Sequence, residues 1–174
     1  MRVVHFAIAA VLALAPAAGL KQAQAQPAAV APAKSGAEAF AIGAAMASQF
    51  AIAASQQVLK RSMDLKVRKL AQEIIADYDA GLSYILETAA SANIRIPETL
   101  DAEHLARLER LANAPVGQID ALYQMEVGKA HEAAIALFTG YVRSGDNLRF
   151  RLIAARALPT LKDHYGKVQL LASR

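Results

Sequence analysis

The stretch DLKVRKLAQEIIADYDAGLSYILETAAS, residues 64–91, decides the fold. Its apolar and small residues recur at steps of three and four, the spacing that gathers side chains on one face of an α-helix. The stripe comprises Val67, Ala71, Ile74, Tyr78, Leu82, Ile85 and Ala89. Asp64 is the predicted N-cap, because its carboxylate can accept hydrogen bonds from the first backbone N–H groups. A long helix with one apolar face must bury that face against other helices, so the stretch predicts a helical bundle.

The rest of the chain supplies the helices that pack against this one. Helical periodicity runs almost to the C-terminus, and no convincing strand alternation occurs. Helices are predicted over about 36–61, over a short segment capped by Thr99, over about 116–143, and from the turn at 144–147 to about 172. Pro159 should bend the last helix, because proline removes a backbone donor and clashes with the preceding turn. The predicted fold is all-α, a four-helix bundle with one short extra helix between helices two and four.

Apolar stripes are also predicted for the short helix and for helix four. They comprise Leu105, Leu108 and Leu111 on the short helix, and Ile119, Leu122, Glu126, Ala130, Ala133, Leu137 and Tyr141 on helix four.

The N-terminus has the features of an export signal. Arg2 precedes an apolar run that Pro16 interrupts, and AQA at 23–25 places small residues where a signal peptidase cleaves. The run is shorter than the roughly 20 apolar residues of a membrane-spanning helix, which makes a retained anchor the second alternative. We expect a signal peptide at 1–25, a flexible linker at 26–35 and one helical-bundle domain at 36–174, located in the periplasm or cell envelope.

Composition excludes several classes of site. The sequence has no cysteine, so disulfides, thiolate metal sites and cysteine nucleophiles are absent. Without Arg2 and Lys21 of the signal, 17 of the 19 basic side chains remain against 15 acidic ones, a formal net charge of +2. The basic residues are spread along the chain with no interleaved aromatic side chains, so no nucleic-acid partner is expected. A membrane-surface or envelope association stays open.

Several motifs occur together in a recognisable order. ANIRIP leads into LDAEHLARLERL, and IDALY at 119–123, HEAAIALF at 131–138 and LPTLKDH at 158–164 follow. Over about 38–172 the chain resembles the bacterial domain-of-unknown-function 4142 family. That resemblance implies an exported protein with a ferritin-like helical bundle, and it implies no established activity. One departure is that Tyr78 stands where the family typically has a histidine after Asp77.

A ferritin-like bundle raises the hypothesis of a di-iron site, which the sequence does not support. Such a site takes a Glu from each of two helices and a Glu-x-x-His pair from each of the others. No Asp or Glu occurs between Glu38 and Asp64, and no Glu-x-x-His occurs anywhere. The nearest spacing match joins Asp101 to His104, and we expect it to be a capping acid beside an exposed histidine.

A smaller metal site is the alternative. His131 and His164 could converge with Asp77 or Tyr78, and two imidazoles with oxygen ligands can hold one Zn, Cu or Fe ion. The favoured interpretation is that these are packing residues and that no cofactor is expected, because sequence does not show convergence. No catalytic residue is assigned, because nucleophile elbows and phosphate-binding loops are absent.

Three functional hypotheses remain open. The first is a non-enzymatic exported bundle protein of unknown physiological role, with stress response and surface interaction as the candidate roles. The second is a metal-binding or redox-active ferritin-like domain. The third is a binding module for a lipid or a small apolar ligand held between helices.

Overall fold

The computed structural model describes residues 36–173, which are helical apart from the connections between helices. The elements are α1 (Gly36–Leu59), α2 (Leu65–Ser91), α3 (Ala102–Asn113), a 3₁₀ turn (Val116–Gln118), α4 (Ile119–Ser144) and α5 (Leu148–Ala172). This range contains no β-strand. The all-α prediction is confirmed, and the predicted signal peptide and linker lie outside the described residues.

The four long helices surround one core. α1 packs on α2 and α4, and α5 packs on α4 and α2, so the helices form a closed ring, with α3 against α1 and α4. Alanines make up much of the buried face of α1, which allows neighbouring helices to approach closely. Phe40 stacks on Tyr141 with ring centroids 4.1 Å apart, close to the loop that joins α4 to α5. The described part of the chain is therefore a helical bundle.

α1 is also long and apolar enough to cross a membrane, the one helix among the described residues that is. In this structure 56% of its most apolar window is buried against the other helices. A core helix of a bundle meets the same criterion of length and composition.

The predicted course of α2 is confirmed. Asp64 caps the helix, and its carboxylate accepts from the backbone N–H groups of Lys66 and Val67 at 2.7 and 3.2 Å. The predicted stripe is buried except for Leu82, which is half-buried. The chain leaves the helix through Asn93, which has φ of 55°, a left-handed conformation that asparagine tolerates better than most residues.

Three details of the prediction for α3 are wrong. Asp101, not Thr99, is the N-cap of α3, and it accepts from the backbone N–H of His104 at 2.9 Å. His104 is half-buried rather than exposed, because its ring packs 5.1 Å from the ring of Phe50. Leu105 is 52% exposed, because the buried edge of α3 consists of Leu108 and Leu111.

The stripe predicted for α4 is displaced around the helix. Ala133 is exposed, whereas Tyr123, Val127, His131, Ala134 and Phe138 are buried beside the correctly predicted Ile119, Glu126, Ala130 and Tyr141. The alanine-rich sequence of α4 left its register ambiguous, since alanine is compatible with either face. α5 runs continuously through Pro159, and the bend there stays a prediction.

Candidate functional site

The centre of the bundle contains a cluster of polar aromatic side chains, here called the core cluster: Tyr78 from α2, His131 from α4 and His164 from α5. The centroid of the His131 ring lies 5.6 Å from that of Tyr78 and 5.7 Å from that of His164. The rings of Tyr78 and His164 stack at 6.1 Å. Asp77 joins the cluster from the surface, with Oδ2 3.1 Å from Nε2 of His164. The structure therefore brings together all four residues that the sequence singled out.

Hydrogen bonds define the tautomers of both histidines. Nδ1 of His131 lies 2.8 Å from the carbonyl oxygen of Val127, which can only accept, so this nitrogen carries the proton. Nε2 of His131 then accepts from the Tyr78 hydroxyl at 3.1 Å. In His164, Nε2 donates to Asp77, which leaves Nδ1 as a lone pair. That Nδ1 is buried and has no hydrogen-bond partner among the described protein atoms.

Burial keeps the core cluster neutral. Desolvation lowers the pKa of His131 to about 4, aided by the neighbouring His164 and opposed by the bond to Val127. The pKa of His164 is also lowered by burial, which outweighs the opposing effect of Asp77. Burial raises the pKa of the Tyr78 hydroxyl well above its ordinary value. At neutral pH the three side chains of the core cluster are therefore all neutral.

The core cluster fits a metal ion only in part. A histidine ligand usually donates its second N–H to a carbonyl or carboxylate, and both His131 and His164 make such a bond. However, no group of three or more His, Cys, Asp or Glu side chains within residues 36–173 has the arrangement of a metal site. The Tyr78 hydroxyl also occupies Nε2 of His131, and its raised pKa opposes the phenolate form that metals bind.

A cavity of about 450 Å³ adjoins the core cluster and is partly open to solvent between α2 and α5; we call it the α2–α5 cavity. Its wall is mostly apolar. α1 and α4 contribute Ala44, Ala47, Ala134 and Phe138, and α2 and α5 contribute Ile85, Ile153 and Leu161. Tyr78 and Asp77 line it at the core cluster, and Gly81 leaves part of the α2 wall without a side chain.

A second polar site, which was not predicted from the sequence, consists of the ion pairs of Glu126. This carboxylate is almost completely buried, and it accepts from Nε of Arg107 at 2.7 Å and from a terminal nitrogen of Arg110 at 2.9 Å. Burial alone would raise its pKa, yet the two guanidiniums together hold that pKa below its usual range. The available signal was a glutamate in the apolar stripe of α4, with two arginines three residues apart on α3.

Two solved structures share this fold. A DUF305 fragment from Deinococcus radiodurans matches with a TM-score of 0.72 and 17% identity, over 83% of this chain and 99% of that one. A DUF305 protein from Streptomyces coelicolor, supposed to be secreted, matches with a TM-score of 0.65 and 16% identity, over 80% of this chain and 89% of that one. At such identities the likeness concerns the fold alone.

No curated protein is similar enough in sequence to count as a match. The family model described as Domain of unknown function (DUF4142) matches residues 21–171. This agrees with the motifs from ANIRIP to LPTLKDH, and the chain belongs to the DUF4142 family.

Proposed function

We propose that this protein is an exported, non-enzymatic bundle protein that binds a small apolar ligand in the α2–α5 cavity. The observation that carries the proposal is the cavity itself. Its volume of about 450 Å³ falls within the roughly 300–1,000 Å³ of small-molecule sites, which are typically apolar with a few polar groups. All four long helices contribute to its wall, so a ligand there would contact the whole bundle.

The core cluster supports binding rather than catalysis. Its three aromatic side chains are neutral at neutral pH and already bonded to one another or to Val127 and Asp77. A general base or nucleophile needs a neighbour that activates it and access to the substrate. Tyr78 instead lines the cavity where it adjoins the core cluster and directs its hydroxyl to His131.

The test uses a glycine in the cavity wall. A Cβ added at Gly81 would meet no atom within 4 Å, so Gly81→Leu should fold normally and fill part of the cavity. Gly166→Leu is the matched control, because that glycine is equally free of neighbours and does not line the cavity. Binding of the neutral fluorophore Nile red should weaken at least tenfold in Gly81→Leu and remain unchanged in Gly166→Leu. Equal binding by both variants would contradict the cavity as the site.

The proposal also includes the ferritin-like four-helix arrangement and export to the periplasm or cell envelope. The ring of α1, α2, α5 and α4 supports the four-helix arrangement.

Export is supported by the N-terminal sequence, namely Arg2, the apolar run and AQA at 23–25. Intact-mass measurement of protein from the envelope fraction should give a chain that begins at Gln26 or within a few residues of it. An unprocessed chain in the cytoplasm would contradict export.

A second candidate function is binding of a single Zn, Cu or Fe ion by His131 and His164 with Asp77 or Tyr78. The unpartnered Nδ1 of His164 favours it. Tyr78→His would add a third imidazole, and three imidazoles with an open position can hold zinc. Added zinc should then raise the Tm of Tyr78→His, because a ligand of the folded state alone stabilises it. If added zinc changes the Tm of Tyr78→His no more than it changes the Tm of Tyr78→Phe, these positions do not form a metal site.

A further inference from the structure

The α2–α5 cavity has a positive rim. Arg149 and Arg156 lie seven residues apart on α5, two helical turns, so both project from the face that lines the cavity. Both are exposed, and within residues 36–173 neither forms an ion pair or a side-chain hydrogen bond. By contrast, Arg61, Arg68, Arg107 and Arg110 all bind carbonyl or carboxylate oxygens. The two rim arginines are therefore available to a ligand.

Charge is arranged unequally along the cavity. Lys167 pairs with Glu73 and His164 with Asp77, so α2 and α5 run antiparallel, and Asp77 lies at the end nearest His164. Because the two helices are antiparallel, Arg149, near the start of α5, belongs to the opposite end, where the later part of α2 lines the cavity as far as Thr88. From Asp77 to Thr88 is eleven residues of α2, roughly 16 Å at 1.5 Å per residue. Asp77 thus lies at one end of the cavity and Arg149 at the other, with Arg156 between them on α5.

Exposed apolar side chains accompany these arginines. Leu152 is 62% exposed and Tyr84 is 57% exposed, and both line the cavity. Leu152 lies between the two arginines in the sequence of α5. An apolar patch beside unpaired guanidiniums matches a molecule that is both apolar and anionic. Its apolar part would pack against the apolar patch, and its anionic group would form charge-assisted hydrogen bonds with the guanidiniums.

Resting on the proposed function, we infer that the ligand is a single-chain amphiphile with an anionic head group, such as a carboxylate or phosphate. Its tail lies in the α2–α5 cavity, and its head group binds Arg149 and Arg156 at the rim. Guanidinium binds carboxylate and phosphate oxygens through paired, charge-assisted hydrogen bonds. Asp77 repels the same head group from the other end, which fixes the direction of the chain.

The test compares three ten-carbon probes on purified protein by displacement of Nile red. Decanoate and decyl phosphate should bind at least tenfold more tightly than 1-decanol at low salt, with the advantage falling as salt screens the rim. Arg149→Gln and Arg156→Gln should each weaken decanoate binding about fivefold and leave 1-decanol binding unchanged. Arg151→Gln is the control, because this exposed arginine of α5 does not line the cavity.

The outcomes separate this inference from the proposed function. Equal affinities for decanoate and 1-decanol, unaffected by the arginine variants, would overturn the anionic head group and leave an apolar site. Failure of all three probes to bind would overturn both. Binding to phosphatidylglycerol vesicles without binding to monomeric decanoate would also overturn the inference, because it would indicate a membrane-surface contact.

Discussion

At the scale of single residues, Tyr78 explains how the core tolerates two histidines. Its hydroxyl donates to the lone pair of His131, while its ring stacks on His164 and borders the α2–α5 cavity. Tyr78 therefore supplies both a hydrogen bond and buried apolar area to the core. The resemblance to the DUF4142 family implies a histidine here, and the structure shows the tyrosine bonded to a remaining histidine.

Two substitutions at Tyr78 separate these contributions. Tyr78→Ala should lower the free energy of unfolding by roughly 3 kcal/mol or more, as large-to-small aromatic changes in cores do. Tyr78→Phe keeps the ring and leaves Nε2 of His131 unpaired, so it should cost about 1–3 kcal/mol. Urea denaturation measures both. A near-neutral Tyr78→Ala would mean that the side chain is not packed in the core.

Stability should also depend on pH through His131. Its pKa in the folded protein, about 4, lies below the value of about 6.5 in an unfolded chain. Between these values the unfolded state binds more protons, so the free energy of unfolding falls as the pH falls. The loss from pH 7 to pH 4 should be about 3 kcal/mol from this residue, with His164 adding a change of the same sign.

The control for this pH dependence is His131→Gln, which has no titrating group at the position. Its free energy of unfolding should change less between pH 7 and pH 4 than that of the parent. An identical pH dependence in both proteins would contradict a neutral, buried His131.

The core cluster was predictable only in part, and the Glu126 site was not, for a physical reason. Tyr78 lies on a clear apolar stripe, but His131 lies outside the stripe predicted for α4. Helical periodicity also does not show that side chains from different helices converge. A buried Glu126 depends on α3, whose position follows from a turn and from packing rather than from periodicity. No property of α4 alone identifies its partners.

At the scale of the elements, the Glu126 ion pairs attach α3 to the bundle. Arg107 binds both the carboxylate and the backbone carbonyl of Glu126, and its guanidinium lies 4.2 Å from the centre of the Phe50 ring. It therefore joins α3 to α4 and α1 together. The sequence predicts this helix but not its exact start, since both Thr99 and Asp101 are good N-cap residues and the structure uses Asp101.

The two arginines should differ in importance. Arg107→Ala should lower the free energy of unfolding by roughly 3 kcal/mol, because it removes a nearly buried partner of a buried carboxylate. Arg110 is half-exposed, with its side chain 54% accessible, so solvent screens its pair. Arg110→Ala should cost less than about 1 kcal/mol. Urea denaturation measures both changes. Equal losses of unfolding free energy in the two variants would contradict the conclusion that the more buried Arg107 contributes more.

At the scale of the whole molecule, the sequence predicted which helices form and did not predict the α2–α5 cavity. Hydrophobic periodicity indicates the buried face of each helix, but it does not indicate how completely facing side chains fill the space between them. Gly81 on α2 and Ile153 and Ala157 on α5 line the cavity together, where the side chains leave the space between the two helices unfilled. Whether side chains fill the space between α2 and α5 depends on how these two helices are placed against each other. The facing residues are about 70 positions apart in the sequence, so local periodicity does not predict it.

Methyl NMR with decanoate tests the central claim, that the α2–α5 cavity is a ligand site, most directly. Ile85 and Ile153 line the cavity, whereas the buried Ile119 does not and serves as an internal control. We predict saturable shifts of the Ile85 and Ile153 methyl signals, an unchanged Ile119 signal, and loss of the shifts in Gly81→Leu. Unchanged Ile85 and Ile153 signals at saturating decanoate, or shifts that persist in Gly81→Leu, would contradict the account.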